Sequence, residues 1–258
     1  MGVSACAFPI IEFEERAAPR RLAYSELRHA QPREAAALRT APRRAETHDQ
    51  ARSSVIAPIV PEPEERPVAL PGACHRALAA AGVRFETVAR AVAPGVPWPI
   101  RLLGPVRGVT FEASDKDPVH SILDCRLGLS LLTWAQDLRR AGVRRVEHYS
   151  MYRPGARVGG DGAVSGHAHG LAIDAARFTL NDGAVVDVLD DWEGRKRGQA
   201  PCPVRRDESS ASRLLRRVTC SAIDDNVFQV VLTPHYNRAH NNHVHLERKP
   251  EVDWTYVR

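Results

Sequence analysis

An α+β fold is predicted for residues 67–258: a small antiparallel sheet flanked by helices. Three observations predict it. Helical and strand patterns follow one another without a regular βαβ repeat. One long segment, 121–142, carries an apolar stripe stepping by three and four. A strand–turn–strand pattern surrounds Asn181-Asp182-Gly183.

In chain order, "CHRALAAAGVRFETVA" (74–89) reads as a short helix, a turn at Gly82 and a strand or loop around Phe85. In "SILDCRLGLSLLTWAQDLRRAG" (121–142), Leu123, Leu127, Leu131, Trp134 and Leu138 fall on one helical face. Gly142, after Arg139 and Arg140, is a suitable C-terminal stop. "VRRVEHYSMYR" (143–153) switches to strand character. "GLAIDAARFTL" (170–180) and "AVVDVL" (184–189) read as strands joined by the Asn181-Asp182-Gly183 turn. "SASRLLRRVTCSAI" (210–223) is an amphipathic helix with Leu214, Leu215, Val218 and Ala222 inward. "VFQVVL" (227–232) and "HVHL" (243–246) are the last two strands.

Residues 1–66 differ from the rest. They hold ten Arg and ten acidic residues with scattered Pro and no sustained apolar period. This segment is expected to be disordered or weakly helical, and 57–72 reads as a Pro-rich linker. No signal peptide is recognisable, because "MGVSACAFPIIEFEE" has no basic start and its short apolar stretch runs into acidic residues.

The 258 residues are 43% hydrophobic and 26% charged, which excludes a wholly disordered chain or a fibre. No apolar run approaches the roughly 20 residues of a membrane span, so no transmembrane segment is expected. The net charge of +5 does not by itself point to nucleic acid. The Arg pairs Arg139-Arg140 and Arg216-Arg217 have ordinary solvent-facing helical spacing, and aromatic residues are only 6%, so no nucleic-acid partner is expected. HExxH, GxSxG, GxxxxGK[ST] and GxGxxG are all absent from the sequence.

Six of the eleven His lie between 167 and 245, in "SGHAHGLAID" (165–174) and "HYNRAHNNHVH" (235–245). A catalytic zinc needs three N or O ligands and an open position. His167 and Asp174 meet at one ion if the chain turns near Gly170, which tolerates a tight turn, and then runs on as a strand. On that strand Ala172, Asp174 and Ala176 share a face, and the small alanines leave the ion room. His243 and His245, two apart, leave the same face of a strand. One then binds metal while the other touches the metal-bound water, with His240 in support. His169 and His235 are read as bystanders, and Asp191 and Trp192 as a structural loop. Five Cys are present, none in a zinc-finger spacing. Cys74, Cys125, Cys202 and Cys220 suit either two disulfides or four buried thiols, and three disulfide connectivities stay open.

The combination SxHxxGxAxD, then HxxHxH some 65–70 residues later, resembles the D-Ala-D-Ala metallopeptidase superfamily. That group includes murein endopeptidases, zinc D,D-carboxypeptidases and the hedgehog metal-binding domain. Within it the chain is most similar to the bacterial extensin-like family, on "LDCRLGLSLLTWA", "YSMYRPG", "SGHAHGLAIDAARFTLNDG", "VVDVLDDWEG" and "HYNRAHNNHVHLE". The resemblance spans roughly 70–250. It implies a hedgehog/D,D-peptidase-like fold, a Zn2+ cofactor held by His167, Asp174 and His245, His243 as the catalytic His, and His240 as its partner. It implies that Arg153 and Ser165 engage a substrate carboxylate or carbonyl. Glu247 is assigned no role. It favours disulfides over thiols, a location in the periplasm or cell envelope, and zinc-dependent hydrolysis of amide bonds in peptidoglycan peptides. The alternative is a non-catalytic zinc-containing cell-wall-binding domain of the same fold.

Overall fold

The computed structural model describes residues 72–258, except 160–161, 196–198, 225 and 251. The reading of 1–66 as disordered falls outside the described residues. Helix α1 (Ala73–Ala80) leads through Gly82, at φ +74°, into strand β1 (Phe85–Thr87), followed by β2 (Pro99–Leu102) and β3 (Thr110–Ala113). Strand β4 (Ile122–Asp124) runs directly into α2 (Cys125–Arg140). Then come β5 (Val143–His148), β6 (Ala172–Leu180), β7 (Val185–Asp187), the one-turn α3 (Val188–Asp191), α4 (Ser210–Asp224), β8 (Val230–Leu232), β9 (Val244–Glu247) and β10 (Tyr256–Val257).

The protein is α+β, as expected, but the sheet is neither small nor purely antiparallel. Strands β1, β2 and β4 form one antiparallel sheet, and β10-β8-β9-β6-β5-β3 form a second, with β7 added beside β6. Two of its pairings, β3 with β5 and β10 with β8, are parallel. Long connections separate both pairs in sequence, and local alternation of apolar residues carries no signal for such distant partners.

The predicted helix 121–142 begins later, at Cys125. Its first residues form β4, and the buried Asp124 carboxylate caps α2 by accepting from the Arg126 N–H (2.9 Å) and the Trp98 N–H (3.2 Å). Leu127, Leu131, Trp134 and Leu138 are buried as the stripe requires. Trp134 packs edge-on against Phe178 of β6 and Phe228, and its indole N–H donates to the Val218 carbonyl of α4 (2.8 Å). This ring therefore pins both large helices to the main sheet. Truncating such a residue costs about 3–5 kcal/mol.

All four Cys of the described region are paired, Cys74 with Cys125 and Cys202 with Cys220. The first joins α1 to the start of α2. The second ties the 193–209 segment to α4. In the loop-entropy picture, loops of 51 and 18 residues correspond to about 4 and about 3 kcal/mol of stabilisation.

Candidate metal centre

Strand β6 is the spine of the site. Its partner β9 pairs in a register that sets Asp174 directly opposite His245. Residues opposite one another across an antiparallel pair share a face, and Asp174 Oδ1 lies 2.9 Å from His245 Nδ1. Val244 and Leu246 turn the other way, into the core. Further along β6, Glu147 pairs with Arg177 and His148 with Ala175, which leaves Ala176 as an extra residue. This β-bulge changes the phase of the strand. The expected single face of Ala172, Asp174 and Ala176 therefore does not continue past Asp174: Ile173 and Ala175 face the core before it, and Phe178 does after it.

His167 arrives from the other side, on a 3-10 turn (Gly166–His169). The Ser165 hydroxyl caps this turn by accepting from the His167 N–H (3.3 Å). Gly170 ends it at φ +62°, where an added Cβ would lie 2.7 Å from the Asp124 nitrogen. The predicted turn is thus present, and glycine is required there for both reasons. His167 Nε2 stands 3.0 Å from Asp174 Oδ1 and 3.2 Å from His245 Nδ1. His167, Asp174 and His245 are all buried, and they can hold a metal ion.

The hydrogen bonds on the far side of each ring decide what the near nitrogens offer. His167 Nδ1 lies 3.2 Å from the Met151 carbonyl, which only accepts, so this nitrogen donates and Nε2 turns a lone pair inward. His245 Nε2 donates to the Glu247 carboxylate (3.4 Å), so its Nδ1 also turns a lone pair inward. Three lone-pair atoms within 3.2 Å of one another repel unless a cation or a proton lies among them. Two imidazoles and one carboxylate are the donor set of a borderline divalent ion such as zinc.

The electrostatics agree. Burial lowers the pKa of His167 despite the nearby Asp174, which keeps the ring a neutral donor. Burial also works against charge on His245, but its hydrogen bonds to the Asp174 and Glu247 carboxylates outweigh it and raise the pKa to about 9. Burial works to raise the Asp174 pKa, yet His167 and His245 hold it well below the usual value. The metal-free cluster thus keeps a proton where a cation would go.

His243 lies beside the three candidate ligands. Its Nδ1 donates to Asn242 Oδ1 (2.9 Å), and its Nε2 is 3.4 Å from Asp174 Oδ1. His240, on a 3-10 turn (Arg238–His240), donates from Nδ1 to the capping Asn237 Oδ1 (2.7 Å). Its ring stands 5.1 Å from that of His243 and 6.0 Å from that of His245. Burial lowers both pKa values, to about 4 for His240, where His243 and His245 add to the effect; for His243 burial outweighs the opposing pull of Asp174. The Arg153 guanidinium reaches Asp174 Oδ2 (3.6 Å) while its side chain stays 48% exposed, at the rim. Ser165 is buried, and its hydroxyl serves the turn that carries His167. His169 bonds the Gly95 carbonyl and His235 accepts from the Arg195 N–H, both away from the three ligands.

Glu247, assigned no role from the sequence, belongs to the site. It is buried, orients His245, and accepts from Lys249 Nζ (2.8 Å). The signal was legible as H-x-H-x-E: in a strand, His243, His245 and Glu247 leave one face. Gly166 makes room for it, since an added Cβ would lie 2.5–2.7 Å from the Glu247 side chain.

An α+β domain with a buried His/His/Asp cluster opening toward two further His defines a protein built around one candidate metal centre. The family model described as Extensin-like protein C-terminus matches residues 72–258, and the chain belongs to that family. Neither the curated proteins nor the solved structures contain a match.

Proposed function

We propose that this chain is a zinc-dependent hydrolase of amide bonds, acting on the peptides of peptidoglycan, with a fold of the hedgehog/D,D-peptidase type. The observation that carries the reading is the convergence of three inward lone pairs, from His167, Asp174 and His245, next to a fourth inward nitrogen on His243. The two disulfides accord with an oxidising compartment such as the periplasm. Among the described residues no helix is long and apolar enough to cross a membrane.

His167, Asp174 and His245 would hold the ion. When bound, zinc supplies Lewis acidity toward water and toward the scissile carbonyl. The chain's own groups do the rest. His243 Nε2, kept unprotonated by burial, takes a proton from the attacking water and returns it to the leaving amine. Asn242 fixes the tautomer in which Nε2 is free to do so. His240 packs at a tilt against His243 and holds its orientation. Arg153, exposed at the rim, offers a planar fork to a substrate carboxylate or carbonyl.

The test is muropeptide release from purified sacculi, read together with metal content. Release that stops with a chelator and returns with zinc is the expected outcome. Stoichiometric zinc with no release of any product would instead identify a wall-binding domain.

A further inference from the structure

The ring assigned to proton transfer is held by its own loop. His243 Nδ1 donates to Asn242 Oδ1, and the His240 ring packs against it. Both partners belong to the same short stretch of chain and move with it. A general base must instead be fixed relative to the ion and the substrate, since a misplacement of about 1 Å costs up to about 100-fold in rate. His243 Nε2 also approaches Asp174 Oδ1 (3.4 Å), but that oxygen belongs to a candidate ligand and is committed when an ion is bound.

Tyr149 supplies a reference from a distant segment. It follows β5 directly, and its ring stands 5.7 Å from that of His243 at an interplanar angle of 87°. This is the edge-on arrangement that aromatic pairs favour. The main chain of the same residue is tied to the metal centre. The Tyr149 N–H donates to the Asp174 carbonyl (3.0 Å), and the Asp174 N–H donates to the Ser150 carbonyl (3.2 Å). These two bonds carry the β5–β6 pairing on past the Ala176 bulge. One residue thus holds a candidate ligand through its backbone and the base through its side chain.

The phenol is not itself the base. Burial, reinforced by Asp187, raises the Tyr149 pKa, so the group stays protonated near pH 7. It therefore does not compete with His243 for the proton of the attacking water. What Tyr149 offers His243 is the face and edge of a ring.

We propose that Tyr149 is a positioning residue for the hydrolysis, its ring holding His243 in register with the candidate metal ligands. The proposal rests on the hydrolase reading for the role of His243.

The experiment uses the zinc-loaded full chain with a soluble crosslinked muropeptide as substrate. Tyr149→Leu removes the ring, and Tyr149→Phe keeps it without the hydroxyl. Tyr149→Leu is expected to lower kcat about tenfold, the upper worth of an edge-on pair, with KM and zinc content unchanged. Tyr149→Phe is expected to restore the parent kcat. A second readout needs no turnover. The His243 ring C–H signals in proton NMR, assigned by their loss in His243→Ala, should stay in place in Tyr149→Phe and move in Tyr149→Leu, because the ring current is gone. Tyr149→Gln, suited to a half-exposed position, takes the place of Tyr149→Leu if that variant does not fold. Parent kcat or unmoved signals in Tyr149→Leu would overturn the proposal. So would a Tyr149→Phe as slow as Tyr149→Leu, which would assign the effect to the phenol oxygen. Zinc lost in step with kcat would show that Tyr149 supports Asp174 and not the base. Signals that follow the ring in a chain that hydrolyses nothing would sink the hydrolase reading and leave the ring contact standing. Hydrolysis unaffected by loss of the ring would sink the role of Tyr149 alone.

Discussion

Glu247→Ala leaves the three candidate metal ligands in place and removes what aims one of them. The Glu247 carboxylate accepts from His245 Nε2 at 3.4 Å and shares its other oxygen with Lys249 at 2.8 Å. Removing a group that orients a metal-binding His typically costs 10–100-fold in affinity. The long contact puts this case at the low end, about tenfold, which is about 1.4 kcal/mol. Gly166→Ala should act through the same contact, because its Cβ would lie 2.5–2.7 Å from the Glu247 side chain and displace it. Effects that share one contact do not add, so the double variant should match Glu247→Ala alone. The assay is zinc competition against a chromophoric chelator, with thermal unfolding as a control for folding. Affinities of Glu247→Ala within about twofold of the parent would refute the claim that Glu247 sets the His245 tautomer.

Four other outcomes follow. His167→Ala or Asp174→Ala should lose zinc and activity together, whereas His243→Ala should keep zinc stoichiometry and lose activity; elemental analysis beside the sacculus assay reads both. Replacing Cys74 and Cys125 by Ser should cost about 4 kcal/mol and replacing Cys202 and Cys220 about 3 kcal/mol in denaturant unfolding, and an inverted order would contradict the loop-length account. Gly170→Ala, strained by φ +62° and by the nearby Asp124 nitrogen, should lower the unfolding midpoint and weaken zinc binding together; a change in neither would show the turn to be tolerant. For Glu208, burial works to raise the pKa, but Arg195 and Arg216 outweigh it and hold it below the usual 4.5. A lowered folded-state pKa gives stability that is present above pH 4.5 and lost as the pH falls through that lowered value. The stability gap between the parent and Glu208→Gln should therefore be wide at pH 7 and narrow on acidification below 4.5, and a gap independent of pH would remove the ionic explanation.

Local pattern carried a good part of this molecule. The stripe Leu127, Leu131, Trp134, Leu138 marks α2 because a helix repeats every 3.6 residues within one segment. The alternation around His243 and His245 marks a shared face for the same kind of reason. Residue types and spacing single out His167, Asp174 and the pair His243 and His245, and the family resemblance names His245 as the third ligand. Three things were decided only in the folded chain. One is the β6–β9 register that opposes Asp174 to His245, since a slip of one residue would send either side chain to the other face. Another is the choice among three disulfide pairings, which depends on where distant segments come to rest. The last is the environment of His235: its neighbour Arg195 is 40 positions away, and nothing periodic links the two. Periodicity is a property of neighbours along the chain. Register, pairing and enclosure belong to contacts between distant segments, and those form only when the core closes.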